Sequence, residues 1–184
     1  MRYRSVQPPY GTANTDANIM MRQDFGRTLL EVLEAGLQVI NIDESSVERL
    51  DYRRKGWLLP GDSRHIEKGK KIKKLSLTAA ISTTGEVYYS LHESNNNGRT
   101  FLSFLCFLVK TLDKDSPTWR QRIVFMLDNA SYRHTRDIRD FLEAQQIQVL
   151  YTAPFSFEGS PIERLFGFIK RADLTQLDAG DKHE

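Results

Sequence analysis

A chain of 184 residues that is 40% hydrophobic and 27% charged has apolar mass for one buried core, which favours a single globular domain over a repeat array or a disordered polymer. Its longest strongly apolar run, Phe101–Val109, is too short to span a bilayer, and the charged Met1-Arg2-Tyr3-Arg4 start has no apolar block behind it; neither a membrane segment nor a secretory signal is expected, and the protein reads as intracellular. A single cysteine, Cys106, excludes an internal disulfide and a multi-cysteine zinc site, and its neighbours Phe104, Leu105 and Phe107 place it in the core.

Residues 1–18 are polar, contain Pro8-Pro9 and Gly11, and read as an N-terminal arm; residues 19–175 read as the folded domain and 176–184 as a polar tail. Met20–Glu34 sets Met20, Met21, Phe25, Leu29, Leu30, Val32 and Leu33 at helical spacing, with Gly36 as a stop. The apolar run Leu37–Ile42 predicts a strand that ends in an acid, Asp43. Past it, Val47–Leu59 closes at the turn signal Pro60-Gly61.

Nine basic residues crowd the next stretch: Arg53, Arg54, Lys55, Arg64, Lys68, Lys70, Lys71, Lys73 and Lys74. Against them stand only Asp62 and Glu67, a local balance of +7, so with a chain total of +2 the remainder carries −5. Such asymmetry suits a localised surface facing a polyanion, with a solvated loop as the plainer alternative. Trp57, inside this stretch, suits either packing or stacking on an unpaired base.

Leu75–Ser82 and Glu86–Leu91 are β-favouring runs joined by Thr83-Thr84-Gly85 and predict a hairpin. After Asn95-Asn96-Asn97-Gly98, Arg99–Leu112 carries Phe101, Leu102, Leu105, Leu108, Val109 and Leu112 on one helical face. Ile123–Leu127 is a short buried strand delivering Asp128-Asn129 at its end. A helix over Thr135–Gln145, a strand over Ile147–Tyr151 and a helix over Glu163–Lys170 complete the order, the last announced by Ser160 before Pro161. The expected architecture is α/β: a five-stranded mixed sheet whose first three strands are antiparallel, whose last two enter by helical crossovers, and whose ligands sit at strand ends.

Two acids, Asp43 and Asp128, fall at such ends and a third, Glu163, at a helix start, with 34 residues between Asp128 and Glu163. Closely spaced carboxylates repel one another unless they share cations, and hard oxygen donors suit Mg²⁺. Two such ions about 4 Å apart activate a nucleophile and stabilise the leaving oxygen in phosphodiester displacement. Each acid also has a structural reading: Asp43 as a turn cap, Asp128 in an Asx turn, and Glu163 as the third residue of a Ser160 capping box. Arg133 and His134, just after Asp128, suit contact with a phosphate, orientation of a metal ligand, or a solvated loop. Lys170 and Arg171 suit a DNA phosphate or simply the negative end of a helix.

Taken together, several segments resemble the catalytic domain of mariner-type transposases, within the DDE transposase and retroviral-integrase superfamily. They are Ile40-Asn41-Ile42-Asp43-Glu44-Ser45, Arg54-Lys55-Gly56-Trp57, Met126-Leu127-Asp128-Asn129-Ala130-Ser131, Thr152-Ala153-Pro154-Phe155-Ser156, and Ser160-Pro161-Ile162-Glu163 with Phe168-Ile169-Lys170. The resemblance implies an RNase H-like fold over 19–175, with Asp43, Asp128 and Glu163 as catalytic metal ligands for two Mg²⁺ or Mn²⁺ ions. It implies DNA cleavage and strand transfer at transposon ends. DNA is then the partner, touched by the basic stretch, His134 and Lys170, while a homodimer and a separate DNA-binding domain or chain stay open as further partners. The setting would be the nucleus of a eukaryote or the cytoplasm of a prokaryote. This chain departs from the family pattern at Ser160, commonly Asn; at Phe166, often Trp; and at His134, one place late. With only a polar arm before Met20, it reads as a fragment, a separately encoded catalytic half, or a decayed copy. A catalytically silent nucleic-acid-binding remnant and an RNase H-like nuclease for another substrate are the alternative functions.

Overall fold

The apolar runs at residues 38–42 and 123–127 bury both faces of their strands, a pattern that belongs at the centre of a parallel pairing. The computed structural model describes residues 13–47, 75–93, 95–156 and 159–170. In it β1 (Gln38–Val47) and β4 (Ile123–Leu127) run side by side in parallel, with Ile42 opposite Leu127. β2 (Leu75–Ser82) and β3 (Val87–His92) add antiparallel strands on one side, and β5 (Gln148–Tyr151) adds a parallel strand on the other, in the order β3-β2-β1-β4-β5. This is the five-stranded mixed sheet expected from the sequence, with β2 and β4 on the predicted residues.

Among the described residues four helices flank it: α1 (Asp16–Glu34), α2 (Gly98–Asp115), α3 (Arg136–Ala144) and α4 (Pro161–Ile169). In α2 the sequence is explicit. Asn97 accepts the N–H groups of Arg99 and Thr100 while Thr100 Oγ1 accepts the Asn97 N–H, which satisfies donors that the first turn leaves unpaired. Phe101, Phe104, Leu105, Leu108, Val109 and Leu112 then bury one stripe against Ile40, Ile42, Phe125 and Leu127. Each such side chain contributes about 1.5–3 kcal/mol of transfer free energy, so this face carries the main core.

The opposite face holds a smaller cluster of Val47, Leu77, Ala79, Ile162 and Phe166. α1 contributes no fully buried residue, and Met20 and Leu30 of its apolar stripe are 62% and 59% exposed. It begins at Asp16, ahead of the expected Met20, because Thr15 caps it by accepting the Asn18 N–H. Two further expectations change. β1 continues through Asp43 to Val47, since antiparallel pairing with β2 extends it beyond the parallel partner, so Asp43 lies within a strand instead of capping a turn. Cys106 is half-buried, on the flank of the α2 stripe. Trp57 and Arg171 lie outside the described residues, and no helix among the described residues is long and apolar enough to cross a membrane.

Candidate active site

Register creates the site. Because Ile42 and Leu127 are paired across the parallel strands, the next residue on each, Asp43 and Asp128, comes abreast at the same edge. The Thr152 N–H donates to Leu127 O at 2.8 Å, which carries the chain leaving β5 along that edge. Thr152, Ala153, Pro154, Phe155 and Ser156 thereby form one wall of a cleft of about 310 Å³, and Asp43, Asp128 and Glu163 all line it. Phe155 takes φ +60°, a left-handed conformation costly for a residue with a side chain, and presents its ring 41% exposed at the cleft.

The first two acids are held by Arg133. This guanidinium has no exposed surface, and its Nη2 donates to Asp43 Oδ1 at 2.9 Å and to Glu44 Oε2, while Nη1 pairs with Asp128 Oδ1 at 2.9 Å and with Ile42 O at 3.3 Å. Its carbon lies 4.8 Å above the Phe101 ring. Burial alone would pull the Arg133 pKa down, but Glu44, Asp128, Tyr132 and Asp43 carry it above the ordinary value, so the cation persists. Burial raises the pKa of Asp43, against the lowering pull of Arg133, and it raises Glu44 in the same way. Tyr132, whose hydroxyl donates to Glu44 Oε2 at 3.0 Å, is pushed up to about 12, mainly by burial.

Glu163 is held differently. Asn41, buried on β1 two residues before Asp43, accepts the Ser160 hydroxyl at 2.8 Å and the Ile162 N–H at 3.1 Å through Oδ1, and its Nδ2 donates to Met126 O. The Ser160 hydroxyl makes no cap to its own helix, so the expected Ser160–Glu163 capping box does not form; Asn41 supplies the cap from the sheet. The helix start is thereby tied to β1, with the Glu163 carboxylate at the cleft.

Asp128 realises its plainer reading as well, since its Oδ1 accepts the Ala130 N–H at 3.0 Å. His134 bonds Asn129, a cleft residue, and packs 4.9 Å from the Tyr151 ring, one step removed from the acids. Lys170 is exposed at the C-terminal end of α4, about 10 Å of helix away from Glu163. Arg53, Arg54, Lys55, Arg64, Lys68, Lys70, Lys71, Lys73 and Lys74 lie outside the described residues. Sequence reasoning gave no role to Asn41 or Glu44 and left Arg133 open between solvent and site. One signal for Glu44 was available: beside a cleft acid on a strand, alternation turns it toward the opposite face, where an acid requires a cation.

As a donor set, Asp43, Asp128 and Glu163 fit a hard divalent ion: all are carboxylates, and Oδ2 of both aspartates takes no hydrogen bond among the described residues. Among the described residues, no three acidic, histidine or cysteine side chains stand close enough to hold one ion together, so the three acids share a cleft without closing into one cluster.

Residues 38–182 match a family model described as DDE superfamily endonuclease. None of the curated proteins matches the chain. Similar solved structures include a pre-cleavage Mos1 transpososome, at 21% identity and TM-score 0.72, covering 92% of this chain and 52% of that one. The Mos1 mariner paired-end complex with Mn is 22% identical with TM-score 0.71, covering 92% and 53%. The catalytic domain of Mos1 mariner transposase is 21% identical with TM-score 0.62, covering 84% and 71%. These likenesses show the RNase H-like fold, and the chain spans about half the length of the transposase chains in the first two.

Proposed function

The chain belongs to the DDE superfamily endonucleases, and on that premise we propose that it is the catalytic domain of a DNA transposase, cleaving phosphodiesters at transposon ends and joining them to target DNA. The observation that carries this reading is the presence of Asp43, Asp128 and Glu163 on one cleft, brought there by three separate elements. These three are the proposed ligands of Mg²⁺ or Mn²⁺, two ions in the working site. Bound there, the ions supply Lewis acidity that activates the attacking oxygen and stabilises the departing one. The chain's own part is positioning: Arg133 fixes the two aspartates, Asn41 fixes the helix that bears Glu163, and Thr152–Ser156 gives the wall along which a strand of DNA would lie.

Phosphate contacts are assigned to Arg53–Lys74, with His134 and Lys170 as outlying contributors. Reversing Lys70, Lys71, Lys73 and Lys74 to Glu should weaken DNA binding and flatten its salt dependence by roughly one unit of slope for each phosphate no longer neutralised. The further partners proposed are a second copy of the chain and a DNA-binding domain or chain that reads the transposon end. The setting proposed is wherever the host keeps its DNA.

A second reading, a silent nucleic-acid-binding remnant, is favoured by one observation: Arg133 already neutralises Asp43 and Asp128. Metal-dependent nicking of DNA separates the two. The purified protein should nick with Mg²⁺ or Mn²⁺, and Asp128→Asn and Glu163→Gln, which keep shape and remove charge, should each abolish nicking. Nicking retained by Glu163→Gln beside a dead Asp128→Asn removes Glu163 from the site, and no metal-dependent nicking by the wild type selects the remnant.

A further inference from the structure

Arg133 is the one fully buried charged side chain among the described residues, and its surroundings are built around it. The Phe101 ring lies under the guanidinium, Tyr132 lies 5.7 Å away on its own turn, and Ile42 O accepts from Nη1. The other Nη donors go to three carboxylates, Asp43 and Glu44 on β1 and Asp128 just past β4, while the buried Nε has no hydrogen-bond partner among the described residues. On both aspartates the same atom is used. Asp43 Oδ1 takes Arg133 and the Glu44 N–H, and Asp128 Oδ1 takes Arg133 and the Ala130 N–H. Oδ2 of each takes no hydrogen bond among the described residues, and both residues line the cleft.

We infer that Arg133 is a positioning residue that divides the two aspartates, holding Oδ1 of each so that Oδ2 is presented to the divalent ion, and that it keeps this hold when the ion binds. The inference rests on the metal reading of the cleft. A planar fork can hold two carboxylates at a fixed separation, which the single ammonium of a lysine cannot, so charge alone does not replace it. Glu44 completes the arrangement from outside the cleft: its Oε2 accepts both Arg133 and Tyr132, which locks the guanidinium against rotation.

Two measurements test this. In ¹⁵N-labelled wild type, the guanidinium N–H signals of Arg133, assigned by their loss in Arg133→Lys, should be visible as slowly rotating groups in EDTA and should persist, shifted, in saturating Mg²⁺. Their disappearance on Mg²⁺ addition would mean that the ion displaces Arg133, and the inference falls. In Arg133→Lys, Mn²⁺ affinity read from free Mn²⁺ by electron paramagnetic resonance should drop at least about tenfold while circular dichroism is unchanged. Affinity equal to or above wild type overturns positioning in favour of charge balance or competition. A purely structural role would lower the thermal midpoint and leave the Mn²⁺ affinity of the folded protein in place. Should the lysine variant not fold, the wild-type spectra decide, with Arg133 then assigned by ¹⁵N-arginine labelling and proximity to the Phe101 ring. Wild type whose Asp43, Asp128 and Glu163 signals ignore Mg²⁺ marks a different failure, that of the metal reading, and carries the inference down with it.

Discussion

Among the described residues, fifteen buried residues pack in one cluster on the α2 and α3 side of the sheet, whereas on the α4 side the cluster has five and α1 adds none that is fully buried. The two sides hold different parts of the site. Asp43 and Asp128 depend on the thick side, because Arg133 reaches them from a bed of Phe101 and Tyr132. Glu163 depends on the thin side, where Ile162 and Phe166 anchor α4 and the Asn41 amide fixes its first turn. A cation seated on the larger cluster thus holds the first two acids, and the smaller cluster with the Asn41 amide holds the helix of the third.

If the two sides differ in this way, truncations should separate them. Phe101→Ala empties the middle of the large cluster and withdraws the ring under Arg133, and should cost about 4 kcal/mol in urea unfolding. Phe166→Ala, in a cluster with room to relax, should cost less, about 2–3 kcal/mol by the same assay. Equal losses would erase the distinction between the faces.

Asn41→Leu probes the thin side alone. The substitution leaves the Met126 carbonyl, the Ser160 hydroxyl and the Ile162 N–H without this partner, a cost of about 1–3 kcal/mol. Its effect on function should be larger than that cost suggests: metal-dependent nicking should fall on the order of 10- to 100-fold, because a helix start shifted by about 1 Å misplaces Glu163. Hydrogen exchange should show the Ile162 amide opening faster while the amides of β4 are unchanged. A uniform rise in exchange across the sheet would argue against a local role. The smallest effect belongs to the surface. The Arg136–Asp140 pair on α3 is 87% and 64% exposed, so Asp140→Asn should change stability by less than about 0.5 kcal/mol.

The elements, and three acids that come to line one cleft, were legible in the order of residues. β2 and β4 fall on the predicted residues because apolar alternation and apolar runs reflect neighbours only a few positions away. The 34-residue interval and the run into Asp128 made two acids visible at element ends, and composition made the basic stretch visible without saying what it contacts. Which partner each buried polar group takes was settled only by the assembled fold. Ser160 reads locally as the cap of its own helix, yet its hydroxyl bonds Asn41, 119 positions away. Arg133 reads locally as a loop residue after Asp128, yet it is buried against Asp43 and Glu44, 90 and 89 positions away. Local pattern fixes backbone conformation because dihedral preferences act within a turn or two. The partner of a buried charge is fixed by whichever opposite charge or dipole the fold brings within about 3 Å, since leaving it unpaired costs more than breaking a local bond.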